Sequence, residues 1–312
     1  MGEPPPDVLR MAEERTAARA AKDFATADRL RQQLADAGWI VHDAPGGSTV
    51  EPIAAEEPSG PVRAADVTSV LDRRPTVDVS LHWVCEGWPE DIRRAVGSFR
   101  ANAAGRSLQF VVADVTGEPA GRWGEEVEVV SLEPGTGWAA ARNAGLRRST
   151  GAVLVALDGS VEAAGDVLGP LVRALVDETI GCCGPFGIVT TDLREFDEAP
   201  GPGECDAIEG YLMAFRRETF LEAGPFDEKF RWYRTADIEW SFRVKDHGRR
   251  CVVVPAPAVK HEHRMWFETP PEQRARWSKR NYYRFLDRWR DRWDLVLSGE
   301  PEHQHHEHHD HD

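Results

Sequence analysis

The sequence predicts an α/β domain built on a mostly parallel sheet, and three observations carry that expectation. From residue 77 onward, strand-like and helix-like stretches alternate, as they do where helices cover the faces of such a sheet. Residues 152–157 (AVLVAL) are an almost unbroken apolar run, the pattern of a strand covered on both faces. The strand-like runs at 108–113 and 152–157 each end in a carboxylate, Asp114 and Asp158, and the carboxyl ends of strands are where open α/β sheets place their chemistry.

Taken in order, residues 7–41 read as a helical hairpin followed by a short strand. Asp23 is placed to cap a helix in which Phe24, Ala27, Leu30 and Leu34 recur at helical spacing, Gly38 supplies a stop, and Trp39-Ile40-Val41 reads extended. Residues 43–75 are rich in Pro, Gly, Ser and Glu and lack a sustained period, so they are expected to be a linker with a short helix near 65–71. Val77, Val79, Leu81 and Trp83 alternate with polar residues and open the main domain as a strand. Pro89 sits where a first helical turn tolerates proline, and Ile92, Ala95, Val96 and Phe99 form the buried face of that helix. Further strands are expected over 108–113, 127–132 and 152–157, with a helix over 139–148.

Composition bounds the function. The 312 residues carry 53 acidic and 38 basic side chains, a net charge of −15, and a phosphate backbone rewards the opposite balance. DNA is therefore not an expected partner. The first ten residues lack a basic and then apolar leader pattern, and no run approaches the ~20 apolar residues of a membrane span, so a cytoplasmic protein is expected. Five cysteines, two of them adjacent and none in a CxxC pair, suit reduced, buried thiols better than a disulfide framework or a zinc site.

Two long segments resemble one family. GWAAARNAGLRRSTGAVLVALDGS (137–160) is similar to the signature of family 2 glycosyltransferases, and GYLMAFRRETFLEAGPFDEKFRWYRTADIEWSFRVKDHG (210–248) resembles the acceptor-side segment of the same family. The resemblance spans roughly 77–295. It implies a GT-A fold, in which a Rossmann-like half binds a nucleotide-diphosphate sugar and a mixed half binds the acceptor. It also implies an inverting transfer in which a carboxylate deprotonates the acceptor hydroxyl.

Carried over by position, the resemblance makes Asp237 the general base. Gly210, Glu239 and Trp240 fall on the acceptor side, and Arg243 matches the arginine that ends the motif. Asp114, Arg142, Asn143, Asp158 and Ser160 fall on the nucleotide-sugar side. A divalent cation, Mn²⁺ or Mg²⁺, is implied, with Asp158 and His263 as its ligands; His261 is the other histidine in reach along the chain. Two departures stand out. The usual DxD is Asp158-Gly159-Ser160, which leaves one carboxylate beside a hydroxyl, a weaker ligand for a hard cation. The first strand ends in Cys85-Glu86-Gly87 rather than the family's asparagine-containing turn. Either a later residue completes the metal site, or the enzyme works with little metal, or catalysis is lost. The last alternative leaves a non-catalytic GT-A-like binding module.

Residues 273–293 are basic and aromatic, with Trp277, Phe285, Trp289 and Trp293 spaced in fours. They read either as a helix packed on the domain or as an interfacial helix facing anionic lipid, which would suit a lipid-linked acceptor. Residues 15–48 resemble the C-terminal segment of bacterial cysteinyl-tRNA synthetases and suggest a small appended module for contact with a protein partner or with RNA, though six basic against eight acidic residues over 1–50 give RNA little support. Residues 298–312, with six histidines among five acids, are expected to be a disordered tail. The expected division is a hairpin module over 1–42, a linker over 43–75, a GT-A domain over 76–297 and the tail.

Overall fold

The structure is a computed structural model that describes residues 4–37, 39–44, 47–52 and 60–299. It forms two compact units, divided between residues 59 and 60.

In the first unit, helices α1 (Pro6–Ala20) and α2 (Phe24–Asp36) bury Val8, Ala12 and Leu34 together. The Asp23 side chain accepts from the Thr26 amide at 3.1 Å and so caps α2. Gly38 lies outside the described residues. The chain continues as an antiparallel hairpin of β1 (Trp39–Ala44) and β2 (Gly47–Pro52), with Val41 opposite Val50. The linker expected from residue 43 therefore begins inside a β-hairpin. The physical reason is that Trp39, Val41 and Val50 add an apolar face to the helix pair, a pattern the surrounding Pro and Gly residues obscure.

The second unit opens with a segment that also departs from the linker expectation. The Val62 amide donates to the Ser131 carbonyl, Ala64–Asp66 form one 3₁₀ turn, and Val70 and Leu71 are buried. No helix spans 65–71. This strap is held by its few apolar residues, whose spacing is not helical.

The elements that follow are β3 (Val77–Cys85), α3 (Pro89–Ala101), β4 (Leu108–Asp114), β5 (Val127–Ser131), α4 (Trp138–Arg147), β6 (Gly151–Leu157), β7 (Val161–Ala163), α5 (Leu168–Ala174) and β8 (Ile180–Gly184). Then come β9 (Gly187–Val189), β10 (Asp197–Glu198), β11 (Gly203–Cys205), β12 (Ala207–Ile208), β13 (Leu212–Arg216), α6 (Arg217–Ala223), α7 (Ala236–Asp246), β14 (Arg250–Val253), β15 (Ala258–Lys260), α8 (Arg264–Glu268) and α9 (Pro271–Trp289). The main sheet runs β11-β14-β8-β13-β6-β3-β4-β5. Strands β6, β3, β4 and β5 are parallel, and β13 enters antiparallel between β6 and β8. The chain leaves β3 toward β4 and later returns to β6 on its other side. The gap beyond the carboxyl ends of β3 and β6 is thus the switch point of the sheet.

Ile92, Ala95, Val96 and Phe99 of α3 join Trp83 and Phe110 in the core on one face of the sheet. Leu154, Phe215, Phe220 and Trp240 form a core on the other face, under α4, α6 and α7. All five cysteines are buried and reduced. Helix α9 buries Phe285 and Trp289 against Phe242, and Trp277 meets Trp232 edge to face at 4.5 Å, so this helix packs on the domain. Trp293 lies beyond its end in a 3₁₀ turn. Among the described residues no helix is long and apolar enough to cross a membrane.

Helix α4 lies very close to β3, and one residue sets the distance. A Cβ built on Gly145 would stand 1.7 Å from His82 Nε2. His82 is fully buried, and burial followed by the Arg142 charge holds its pKa well below the usual imidazole value, so it is neutral. Gly145→Ala should lower the unfolding free energy by about 2–3 kcal/mol, read as a lower urea midpoint at unchanged slope, because helix and strand must separate to admit one methyl group.

Candidate functional site

The site grows from the strand ends. The Asp158 carboxylate stands just past β6, and its Oδ1 accepts from the Ser160 amide at 2.8 Å and the Ser160 hydroxyl at 2.5 Å. Its Oδ2 lies 3.1 Å from His263 Nε2. The side chain of His263 is largely buried, whereas that of Asp158 is a quarter exposed. A two-stranded ribbon brings these distant residues together: β15 pairs antiparallel with β7, Lys260 opposite Val161, and the His261 amide donates to the Ser160 carbonyl at 2.7 Å. His263 lies three residues beyond β15, at the position just before α8. Burial would raise the Asp158 pKa, but the hydrogen bond and field of His263, with the two Ser160 donors, hold it below the ordinary carboxylate value. His261 turns instead to Glu162, at 2.8 Å.

Glu86 shares this cleft with Asp158, Ser160, His263 and Trp88. Its Oε2 is closed off from solvent and has no hydrogen-bond partner. Burial, and then the Asp158 charge, push its pKa up to about 7.

Asp237 lies near Tyr211, whose ring and backbone meet the Asp158–His263 pair. It sits in the first turn of α7, behind Thr235 in a left-handed conformation (φ 71°). Its Oδ2 accepts from the Gly210 amide at 2.7 Å and its Oδ1 from the Ile238 amide. A Cβ on residue 210 would stand 3.3 Å from Asp237 Oδ2, so the glycine permits this approach. Burial raises the Asp237 pKa against the opposing pull of these amides and of Arg234. Tyr211 links the two carboxylates. Its carbonyl accepts from the Asp158 amide, its ring lies 6.0 Å from that of His263, and burial with the charges of Glu209, Asp158 and Asp237 moves its phenol up to about 12. The Tyr233 ring meets His263 at 4.5 Å, and Lys260 lies over Tyr211 while pairing with Glu209.

Other expected site residues are placed differently. Arg142 is almost wholly buried; it donates to the His82 carbonyl and Nδ1 and to the Leu157 carbonyl, and it lies over the Trp138 ring. Asn143 is fully buried and spans the Phe226 amide and carbonyl. Both brace the site from below rather than lining a nucleotide pocket, because α4 turns this face into the core. Asp114 is buried, with Oδ1 held by Thr116 and Oδ2 by Arg122 and Trp123, so its oxygens are already taken. Trp240 is fully buried against Phe215 and Phe226 and its indole N–H donates to the Gly224 carbonyl, so it is a core residue where an acceptor contact was expected. Glu239 is buried and paired with Arg243 and Arg288, at the edge of a separate cavity formed with Asp227, Phe230, Arg284 and Asp287.

Glu86, Tyr211, Tyr233 and Lys260 were not singled out from the sequence. Glu86 was within reach: it follows an apolar strand as Asp158 does. No signal marked the aromatic residues.

Residues 112–238 match the family model of glycosyl transferase family 2, and residues 3–50 match that of the cysteinyl-tRNA ligase anticodon binding domain. The first of these stretches is thus similar to glycosyl transferase family 2. N-acetylgalactosaminyltransferase 6 of Drosophila melanogaster is 27% identical over 203 residues, 55% of this chain and 30% of that protein. The crystal structure of GalNAc-T7 with UDP, GalNAc and Mn²⁺ superposes with a TM-score of 0.54 at 22% identity, over 70% of this chain and 48% of that one, and the shared fold is GT-A. The cysteine–tRNA ligase of Opitutus terrae is 52% identical over 50 residues, 16% of this chain and 11% of the ligase. The chain thus spans less than half the length of each of these relatives.

Asn143→Ala should cost about 1–3 kcal/mol of stability, since it leaves the buried Phe226 amide and carbonyl unpaired. Chemical denaturation measures this.

Proposed function

We propose that this protein transfers a sugar from a nucleotide-diphosphate donor to a hydroxyl acceptor with inversion at the anomeric carbon, and that Asp237 is the general base. The observation that supports the reading is that the Asp158–His263 pair and Asp237 all lie close to Tyr211, in a chain that matches the family 2 model over residues 112–238.

The residues present fit a divalent cation. Asp158 and His263 already converge as an oxygen and a nitrogen donor, and the Glu86 oxygen beside them is buried without a partner. No three His, Cys, Asp or Glu side chains among the described residues are gathered tightly enough to hold an ion by themselves. Asp158 and His263 would therefore hold Mn²⁺ or Mg²⁺ together with diphosphate oxygens and water. Such an ion supplies positive charge to the departing diphosphate.

The chain's own part is acid–base chemistry and positioning. Gly210 and Ile238 donate to the Asp237 carboxylate and fix its direction. The ionised carboxylate takes the acceptor proton as the acceptor oxygen bonds to the anomeric carbon and the nucleoside diphosphate leaves from the opposite face. Tyr211 and Tyr233 offer aromatic surface beside this point. The acceptor is a sugar or a lipid-linked glycan in this reading, and the N-terminal unit is a contact module for a protein partner.

Calorimetric titration of UDP and GDP, with and without Mn²⁺, tests the donor site. Mn²⁺-dependent binding should be present in the wild type and lost in Asp158→Ala. No nucleotide binding under any metal condition would favour the binding-module reading that Ser160 raises.

Asp237→Asn should fold normally and lose about 10²–10⁴-fold in turnover. Because burial raises the Asp237 pKa, the base form is populated only above the raised value. The acid limb of kcat/KM against pH should therefore have its midpoint above the ordinary aspartate value of about 3.9, with activity rising as pH rises through it.

A further inference from the structure

Position 160 is where this chain departs most from the DxD pattern, and the structure shows what the departure does. The Ser160 hydroxyl donates to Asp158 Oδ1, so it brings no negative charge to the cleft and partly spends the one that is there. Across the same cleft stands Glu86. Among the described residues that line it, Glu86 is the one whose side chain has a buried oxygen with no partner. Leaving a buried carboxylate oxygen unpaired is costly, and natural structures keep such a group where something outside the protein completes it.

Its position is not incidental. Glu86 follows the last residue of β3 as Asp158 follows the last residue of β6, and the two strands are adjacent and parallel. Each carboxylate is thus delivered by a strand end to the same switch point. Arg142 ties these two ends together from beneath through the His82 and Leu157 carbonyls.

We propose that Glu86 supplies the second negative charge of the divalent-cation site, replacing from β3 the carboxylate that position 160 lacks. It acts through a cation-bound water rather than as a direct ligand, since Glu86, Asp158 and His263 are not close enough together to chelate as a set. Mg²⁺ keeps much of its hydration when bound, and Mn²⁺ takes the same oxygen-rich octahedral sites, so a carboxylate in the outer shell has waters to hold. This inference rests on the donor-site reading above and assigns a residue to it.

The test is Mn²⁺ affinity, measured on the full chain by electron paramagnetic resonance of free Mn²⁺ at saturating UDP. The wild type, Glu86→Gln, Glu86→Asp and the double variant Glu86→Gln/Ser160→Asp are compared, with the melting temperature recorded for each. Glu86→Gln should weaken Mn²⁺ binding about 10–100-fold, the range seen when outer-shell partners of metal sites are removed. Glu86→Asp should weaken it less, and it carries the comparison if Glu86→Gln does not fold. Restoring a carboxylate at 160 in the double variant should recover affinity. Wild-type affinity in folded Glu86→Gln would overturn the proposal, as would an equal loss of UDP affinity without metal, which would tie Glu86 to the nucleotide. A wild type that binds neither UDP nor Mn²⁺ would instead remove the donor-site reading, and this assignment with it.

Discussion

The candidate site depends on one buried cation. The Arg142 guanidinium reaches from α4 to the carbonyls of His82 in β3 and Leu157 at the end of β6, almost wholly buried as it does so. Burial pulls its pKa down to about 10, against the opposing fields of Asp158 and Glu86. The guanidinium is therefore still charged at neutral pH. It offsets part of the repulsion between two carboxylates that the sheet carries to the same point. Without it, β3 and β6 would deliver Glu86 and Asp158 into one cleft with only His263 to answer them.

Two further supports build outward from that pin. Asn143, the next residue of α4, holds the Phe226 backbone and so anchors the loop that leads to α7. On the far side of that loop, Asn281 of α9 donates to the carbonyls of Trp232 and Arg234, which flank Tyr233. The aromatic and basic character of α9 is spent largely on this bracing: Phe285 and Trp289 are core residues, and Arg288 neutralises the buried Glu239. Rigid elements thus fix each wall of the cleft, as placement of a reacting oxygen requires.

Much of this was legible in the chain. The apolar run at 152–157 and the alternation at 77–83 announced β6 and β3, and a carboxylate after a buried strand announced Asp158. The approach of His263 was legible only through family resemblance, because it depends on a ribbon between β7 and β15 that leaves three residues on each strand and no periodic trace. Arg142 and Asn143 misled for a physical reason. A polar pair on a helix reads as a lining face, but small residues around it let α4 sink until that pair faces inward. Trp240 misled in the same way: position in a motif does not say which face of α7 is buried. The strand β2 and the strap from Gly60 were hidden by Pro- and Gly-rich surroundings, because a few well-placed apolar residues suffice to fix an irregular segment.

The ribbon has a temporal meaning as well. Strand β7 leaves the ribosome long before β15 is made, and between them come β8 to β14 with their own pairings. The parallel strands β3 to β6, two of which deliver Glu86 and Asp158, can pair while the chain is still growing, yet His263 reaches Asp158 only after nearly the whole domain exists. Until then the two carboxylates face each other with Arg142 alone for compensation. The Asp158–His263 pairing is accordingly a late event, made after the parallel strands that deliver the two carboxylates have left the ribosome.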